Sequence, residues 1–461
     1  MEDFKDKRIV ILGLGKSGVS AAKLLKKLGA HITISDLRKE NELTEYMNML
    51  ENKEDFKFDL GGHTEEILLN ADKIIISPGV PSDVIPLSKL IEKNIDVISE
   101  VELAYRFLKG QVVGITGTKG KTTTVTLLSD ILKEGCACRK VKTGGNIGKP
   151  LTSLVANGNN EENVIYVVEL SSFQLETIKD FKPDIAVILN VSSDHMNRYK
   201  NIQEYVEAKS MIFKNQEKKD ILILNANDRF TPLFSGMARS KIYLFSSTSK
   251  VEEGVYLDND GVIKIRVGNE EVSVCNKEEV IIKGLHNLEN IMVASLIGYI
   301  HDVEIKVMSD VIKKFQGVEH RQEFVAEING VKFINNSQGT NIFAVEKSLL
   351  SYDEPIVLIA GGRNKKGNFE ELRDIVKKKV KKLILIGEAK KEIKNALEGY
   401  VDIIESINLE EAVREAYKVS VPNDIILLSP GCASFDMFKN YEERGKVFKE
   451  TVKKIKEESE M

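Results

Sequence analysis

Cysteine is scarce in this sequence, and long apolar runs and a large net charge are absent. Four cysteines in 461 residues are too few and too scattered for a disulfide framework, so reduced thiols are expected. No run approaches the roughly 18 apolar residues of a membrane span, and the N-terminal segment lacks the pattern of a secretory signal. The net charge of −4 gives no general attraction to nucleic acid or anionic lipid. A cytoplasmic enzyme without nucleic-acid binding or membrane insertion is therefore expected.

A metal site built on cysteine is also disfavoured. Cys136 and Cys138 lie close together in the sequence, but no second pair of Cys or His residues is near them. Tetrahedral ligation of a soft metal needs such a second pair. The two thiols are therefore not interpreted as ligands.

Apolar segments alternate with helical patterns in the manner of an α/β protein with three domains. Segments 8–12, 31–35 and 74–76 predict parallel strands of an N-terminal Rossmann-like domain, 1–99. Segments 112–115, 164–168, 185–189 and 221–224 predict the parallel sheet of a central P-loop-type ATPase domain, 100–317. Within it, residues 241–274 alternate in polarity around the turn 258–261 and predict a β-hairpin. Segments 331–334, 356–359, 383–386 and 425–428 predict a C-terminal Rossmann-like domain, 318–461.

The first Gly-rich loop, GLGKSG at residues 13–18, fits GxGxxG between a strand and a helix. Small residues there let backbone amides and the helix N-terminus approach a diphosphate. Asp36, at the end of the next strand, is a carboxylate that can accept hydrogen bonds from a sugar or a base. NAD and a UDP-sugar are both compatible with this pattern.

A second Gly-rich loop, GTKGKT at residues 117–122, resembles a P-loop. The full GxxxxGK[ST] pattern requires glycine at position 115, where this chain has Ile115. The functional parts remain, because Lys121 can neutralise phosphate and Thr122 can reach Mg²⁺. The strand-loop-helix context favours nucleotide binding over a simple turn.

Polar residues follow the strands next to this loop. Glu169 follows segment 164–168 and His195 follows segment 185–189, so both are expected at the carboxyl ends of parallel strands, where open α/β sheets bind ligands. Such residues could hold a hard metal ion, although a solvated glutamate is the simpler alternative. Lys209 lies in the helical segment 204–213, and periodicity alone predicts a surface lysine.

Taken together, six segments resemble the Mur ligases, and the resemblance spans all three domains. They are GTKGKTTT (117–124), ELSSFQLE (169–176), NVSSDHMNRY (190–199), EAKSMIF (207–213), HNLEN (286–290) and SPGCASFDMFKNYEERG (429–445). The GLGKSG, SPGV (77–80) and SFQLE segments are most similar to the members that add D-glutamate to UDP-N-acetylmuramoyl-L-alanine. The resemblance implies a monomeric, cytoplasmic, ATP-dependent ligase of peptidoglycan precursor synthesis, which forms an acyl phosphate on its substrate and uses two Mg²⁺ ions.

The resemblance also implies roles for individual residues. The catalytic residues are Lys121, Glu169, His195 and Lys209, with Lys209 carrying a carbamate whose anionic oxygen could ligate Mg²⁺. The metal ligands are Thr122, Glu169, His195 and Lys209. The UDP-substrate residues are Gly15, Lys16, Ser17, Asp36, Arg38, Gly79 and Asn146. The ATP residues are Gly117, Thr118, Lys119, Gly120, Lys121, Thr122, Thr123, Asn287, Asn290 and Arg321. The glutamate residues are Thr340, Lys365, Ser434 and Phe435.

The chain departs from the family pattern at three positions. Asn336 and Gln338 replace an acid and a cation of the usual Asp-Ser-Lys-x-Thr-Asn, and Lys119 replaces an asparagine. Neutral amides weaken anion pairing near the reacting carboxylates. A paralogue that uses L-glutamate or another amino acid, and a non-catalytic nucleotide-binding relative, are the alternatives. An NAD-dependent oxidoreductase would leave the P-loop, Glu169 and His195 unexplained.

Overall fold

The computed structural model describes residues 3–80, 86–156, 163–192, 198–282, 284–364 and 367–460. The chain forms two compact units, Met1–Phe315 and Gln316–Met461. No helix in the described ranges is both long and apolar enough to cross a bilayer.

The first unit begins with a five-stranded parallel sheet of order β3-β2-β1-β4-β5. The carboxyl ends of β1 and β4 are neighbours, and there the chain leaves the sheet in opposite directions. This is a topological switch point, where doubly wound sheets bind their ligands. The elements are β1 (Arg8–Leu12), α1 (Lys16–Lys27), β2 (His31–Asp36), α2 (Glu40–Asn48), β3 (Phe56–Leu60), α3 (Glu65–Leu69), β4 (Lys73–Ile76), α4 (Leu87–Glu92), β5 (Asp96–Ser99) and α5 (Glu100–Tyr105).

The second sheet of this unit has nine strands in the order β14-β13-β12-β11-β10-β9-β6-β8-β7. Strands β6 to β12 pair in parallel, and β12, β13 and β14 form an antiparallel meander at one edge. The elements are β6 (Gln111–Thr116), α6 (Lys121–Gly135), β7 (Lys140–Gly145), α7 (Leu151–Ala156), β8 (Val164–Glu169), α8 (Ser172–Leu175), β9 (Ile185–Ile188), α9 (Ile202–Ser210), β10 (Ile221–Asn225), α10 (Thr231–Met237), β11 (Lys241–Ser246), β12 (Gly254–Leu257), β13 (Val262–Val267), β14 (Glu270–Asn276), α11 (Leu285–Ile300) and α12 (Ile305–Lys314).

The second unit has a six-stranded sheet of order β15-β16-β20-β17-β18-β19, in which only the β15–β16 pair is antiparallel. Helices pack against the sheet and bury apolar side chains on both of its faces. The elements are β15 (Glu323–Ile328), β16 (Val331–Asn335), α13 (Ile342–Leu350), β17 (Ile356–Gly361), α14 (Arg373–Lys379), β18 (Val380–Ile386), α15 (Lys390–Leu397), β19 (Asp402–Glu405), α16 (Leu409–Val419), β20 (Ile425–Leu428) and α17 (Tyr441–Ser459).

The structure confirms the α/β class with parallel-dominated sheets. Central strands such as β8 and β17 are buried along their whole length, because helices cover both faces of a parallel sheet. The hairpin predicted within 241–274 is present around the turn at 258–261, where β12 and β13 pair antiparallel, whereas residues 241–246 form the parallel strand β11. The boundaries 1–99, 100–317 and 318–461 stay a prediction, while the three sheets fall within them.

Candidate functional site

A cavity of about 560 Å³ lies at the switch point of the first sheet. It is bordered by the loop after β1, the loop after β4, and the segment that joins β7 to α7. Gly15 is the N-cap of α1, and a Cβ added there would meet no atom within 4 Å. The amide end of α1 is therefore open to the cavity, as diphosphate binding requires.

All seven residues predicted to contact a UDP-linked substrate line this one cavity. The structure thus brings together residues that are up to 131 positions apart in the chain. They are Gly15, Lys16, Ser17, Asp36, Arg38, Gly79 and Asn146.

Asp36 lines the cavity and is already hydrogen-bonded inside the protein, while its predicted contact with a sugar or base stays a prediction. Its carboxylate accepts from the Leu14 amide at 2.7 Å, and from the Arg38 amide, Nε and Nη2 at 2.8 to 3.0 Å. Burial opposes ionisation of Asp36, but these hydrogen bonds outweigh it and lower the pKa of the carboxyl. Asp36 therefore holds the loop and Arg38 in place at this end of the cavity.

His63 also lines the cavity and was not predicted from the sequence. Its Nδ1 lies 2.7 Å from the Ser35 hydroxyl, and its buried Nε2 has no hydrogen-bond partner among the described residues. Burial lowers the pKa of the imidazole. Recognition of the edge strand β3 in the sequence would have predicted it. Because β2 and β3 run parallel, Asp36 and His63, which lie at their carboxyl ends, come to the same edge of the sheet.

The second Gly-rich loop, residues 117–122, has the geometry of a phosphate-binding turn, and we call it the phosphate turn after its predicted ligand. Gly120 has a φ of +85° and caps α6, so its conformation favours glycine. The Lys121 ammonium donates to the carbonyls of Gly117 and Thr118 at 2.7 and 3.0 Å. A phosphate bound in the turn would offer the same cation stronger acceptors. The backbone of Lys119 is held from the side by the Asn190 amide, at 2.9 and 3.1 Å.

Glu169 connects this loop to the cavity. It lies at the carboxyl end of β8 and is only 3% exposed. One carboxylate oxygen accepts from the Thr122 hydroxyl and the other from the Asn146 amide, both at 2.9 Å. A continuous path of three side chains thus runs from the phosphate turn to a residue that lines the cavity.

Lys209 is buried, which corrects the surface position that helical periodicity alone predicts. The side chain is 1% exposed, and its ammonium lies 4.4 Å from the centroid of the Tyr205 ring. The Tyr205 hydroxyl is in turn 3.4 Å from the Thr118 hydroxyl of the phosphate turn. Tertiary packing therefore brings Lys209 close to the predicted nucleotide site.

The predicted metal ligands are only partly defined by the structure. His195 lies outside the described residues, and no group of three His, Cys, Asp or Glu side chains within them is arranged to hold a metal ion. Thr122 and Glu169 are oxygen donors of the kind Mg²⁺ prefers, whereas the Lys209 ammonium cannot ligate a cation. The residues present therefore fit magnesium if Lys209 carries an anionic group.

The other predicted ATP residues divide between the two units. Asn290 accepts a hydrogen bond from Thr124 at 3.1 Å and packs beside Gly120, and Asn287 lies one turn earlier on α11. Thr123 follows Thr122 in the first turn of α6. These residues gather around the phosphate turn, whereas Arg321 belongs to the second unit.

In the second unit, Thr340 and Ser434 follow the adjacent strands β16 and β20 at the carboxyl edge of the sheet. The Gly431 amide donates to the Gly339 carbonyl at 2.9 Å and joins the two loops. Ser434 is buried and Phe435 is 57% exposed. Arg363, which follows β17, exchanges two backbone hydrogen bonds with Ala433. Lys365 lies outside the described residues.

Asn336 is fully accommodated in this unit. Its side-chain nitrogen donates to the Ser348 and Ser429 hydroxyls at 2.7 and 3.2 Å. Its side-chain oxygen accepts from the backbone N–H of Gln322 at 3.2 Å. Ser348 donates its own proton to the Ala344 carbonyl, so it is an acceptor for Asn336. The neutral amide is therefore matched to its surroundings, and an aspartate could not make the same contact with Ser348.

Comparisons with known proteins agree along the whole chain. The Mur ligase MurD-like N-terminal domain matches residues 7–99, the Mur ligase middle domain matches 115–298, and the Mur ligase glutamate ligase domain matches 320–432. A protein of Clostridioides difficile (strain 630) is 42% identical over 98% of this chain and 100% of its own length. A protein of Geotalea daltonii is 41% identical over 98% of both chains. Both are named UDP-N-acetylmuramoylalanine--D-glutamate ligase.

Solved structures share the fold at lower identity. MurF ligase from Thermotoga maritima in complex with ADP has a TM-score of 0.54 at 16% identity, and covers 99% of this chain and 100% of its own. UDP-N-acetylmuramate-alanine ligase MurC from the same organism has a TM-score of 0.53 at 18% identity, with 98% and 100% coverage. These likenesses support the fold assignment.

Proposed function

The chain belongs to the Mur ligase family, and we propose that it is an ATP-dependent ligase that adds D-glutamate to UDP-N-acetylmuramoyl-L-alanine in peptidoglycan precursor synthesis. The observation that supports this most is the path from Asn146 through Glu169 to Thr122. It links a cavity suited to a UDP-linked substrate with a turn suited to ATP phosphates. A carboxylate at the Asn146 end of the cavity would thus lie next to the phosphoryl group it must receive.

The proposed reaction begins with phosphoryl transfer. The L-alanyl carboxylate of the substrate attacks the γ-phosphate of ATP, which yields an acyl phosphate and ADP. Lys121 neutralises charge on the transferring group once it exchanges its contacts with the loop carbonyls for contacts with phosphate. Asn146 keeps the end of the substrate oriented, because its amide is itself held by Glu169.

Thr122, Glu169, His195 and a carbamylated Lys209 are the residues that we propose to hold magnesium, with two ions at full occupancy. The ions would neutralise phosphate oxygens and reduce repulsion of the incoming carboxylate. Burial of Lys209 supports carbamylation, because conversion of the amine to a carbamate replaces a buried cation by an oxygen ligand. Asn287, Asn290 and Arg321 are proposed to contact the rest of ATP.

The second step forms the amide bond. The amine of D-glutamate attacks the acyl carbon, and the tetrahedral intermediate expels inorganic phosphate. Thr340, Ser434 and Lys365 are proposed to bind the glutamate carboxylates through hydroxyl and ammonium donors, with Phe435 beside them. The loops that carry these residues are joined by backbone hydrogen bonds, which supports a shared binding site within this unit.

The proposed setting is the cytoplasm, where a monomeric enzyme supplies the precursor needed for cell wall growth, cell shape and cell division. The test is phosphate release by the purified protein with ATP, Mg²⁺ and UDP-N-acetylmuramoyl-L-alanine, in parallel with D-glutamate, L-glutamate or no amino acid. Release that depends on D-glutamate is expected. Dependence on L-glutamate would indicate a paralogue, and nucleotide binding without release would indicate a non-catalytic relative.

A further inference from the structure

Arg198 connects the two walls of the cavity from outside it. Its Nη1 donates to the Pro78 carbonyl at 3.2 Å, and its Nη2 donates to the Glu176 carboxylate at 2.8 Å. Pro78 lies on the loop after β4, which lines one side of the cavity, and Gln174 of α8 lines another. Glu176 follows α8 directly, so a single guanidinium ties the loop to this helix.

Two aromatic rings fix the orientation of this guanidinium. Its central carbon lies 4.1 Å from the centroid of the Phe173 ring, which suits a cation–π contact. The Tyr199 ring stacks against Phe173 with centroids 6.0 Å apart, and its hydroxyl donates to Glu176 at 2.5 Å. We call Phe173, Glu176, Arg198 and Tyr199 the arginine clamp.

The clamp is well enough buried to hold a defined geometry. The Arg198 and Glu176 side chains are 15% and 19% exposed, and Tyr199 is 7% exposed. Arginine suits this place because its planar fork donates in two fixed directions, to a carbonyl and to a carboxylate at once. A lysine at position 198 would lack this planar fork, so it could not donate in the same two fixed directions or stack flat on the Phe173 ring.

We propose that Arg198 is a positioning residue for the UDP-linked substrate, and that the clamp sets the affinity of the cavity by holding the loop 77–80 against α8. The proposal rests on the proposed function and extends it to residues outside the cavity. Neither Arg198 nor Glu176 is among the described residues that line the cavity, so the clamp acts through Pro78 and Gln174. Lys119 and Thr118 of the phosphate turn are hydrogen-bonded to Asn190 and Ser192, whereas the clamp meets this turn through the Tyr205 ring, which packs against Tyr199 with centroids 5.2 Å apart. Because Arg198 itself bonds Pro78 and Glu176, its loss weakens binding of the UDP-linked substrate more than binding of ATP.

The test compares Arg198→Ala and Arg198→Lys with Arg106→Ala. Arg106 is a matched control because its side chain is also 15% exposed and pairs with acidic groups of the same unit, Glu102 and Asp180. We expect Arg198→Ala to raise KM for UDP-N-acetylmuramoyl-L-alanine about tenfold, which corresponds to 1.4 kcal/mol. Arg198→Lys is expected to raise it about threefold. In both variants kcat and KM for ATP stay within about twofold of the wild type, and Arg106→Ala lowers only the thermal midpoint.

Calorimetric binding of UDP-N-acetylmuramoyl-L-alanine in the absence of ATP provides a second readout. It is expected to weaken by the same factors in the two Arg198 variants, and Tyr199→Phe, which keeps the ring stack, is expected to show a smaller loss. Unchanged affinity in Arg198→Lys together with a lower thermal midpoint would overturn the proposal, because the clamp would then be purely structural. Failure of the proposed function is separate, since it would appear as wild-type protein that binds this substrate and releases no phosphate with D-glutamate.

Discussion

Replacement of Glu100 by glutamine is expected to stabilise the protein above neutral pH and to change little near pH 5. Glu100 lies on α5 and is 1% exposed. One carboxyl oxygen lies 2.6 Å from both the backbone nitrogen and the hydroxyl of Thr152 on α7. The other oxygen is buried without a hydrogen-bond partner among the described residues. A proton on the carboxyl removes the cost of a buried charge, as the amide of glutamine does at every pH.

The size of the effect follows from the pKa. Burial raises the pKa of Glu100 from 4.5 to about 7, against the opposing effect of the hydrogen bonds from Thr152. Between these two values the folded protein holds a proton that the unfolded chain has released, so its stability falls as pH rises and levels off above pH 7. The loss between pH 5 and pH 8 is about 2.5 kcal/mol, at 1.36 kcal/mol per pKa unit. Glu100→Gln does not undergo this loss.

The assay is thermal unfolding of wild type and variant across pH 5 to 8. The difference between their midpoints should grow by roughly 4 °C toward pH 8, given about 2.1 cal/mol/K per residue for a unit of this size. Glu102→Gln is the matched control, because Glu102 is equally buried but accepts hydrogen bonds from the amides of residues 179, 180 and 181 and from Arg106. That variant is expected to be less stable than the wild type at pH 8, the opposite sign. A midpoint difference for Glu100→Gln that does not change with pH would show that Glu100 does not release a proton in the folded protein over this range.

Three further substitutions test the phosphate turn, the metal site and the second unit. Gly120→Ala should raise KM for ATP at least about tenfold in the phosphate-release assay, because φ is +85° and the added Cβ would lie 2.3 Å from Asn290 Oδ1. An unchanged KM would contradict the assignment of this loop to ATP binding. Glu169→Gln should lower the rate more than about a hundredfold and shift the Mg²⁺ titration to higher concentration, and a normal titration would exclude Glu169 as a ligand. Asn336→Asp should destabilise the second unit by about 1–3 kcal/mol in denaturant titrations, because it removes the donor to Ser348; equal stability would show that the hydroxyl reorients.

Predictions of secondary structure from the sequence were accurate for central strands and missed strands at sheet edges. Segments 8–12 and 425–428 coincide with β1 and β20, because strands buried on both faces carry unbroken apolar runs. The strands β3, β5, β7, β15 and β19 were not predicted, and each lies at an edge of its sheet. Edge strands are partly solvated, so their apolar pattern is weak. The missed β3 is also why His63 was not predicted.

Turns in the candidate site were predicted correctly where a motif encodes local backbone geometry. The Gly-rich loops at 13–18 and 117–122 form the expected turns before helices, because glycine content and helix starts are local properties. Resemblance to the family added Lys209, whose position on a helix suggests exposure when read alone. Its burial depends on the packing of α9 against other elements, which the periodicity of a single helix does not identify. The roles of these residues stay predictions that the assays above test.

The amino-acid sequence alone was enough to predict the α/β class, the central parallel strands, the two glycine-rich turns before helices and the family. Each of these depends on local patterns or on motifs in a fixed order. Three properties became visible in the folded chain: Glu100 is buried with one oxygen that has no partner among the described residues, Asn336 is matched to Ser348, and Arg198 joins Pro78 to Glu176. These properties arise from contacts between residues far apart in the chain, and such contacts depend on how the sheets and helices pack.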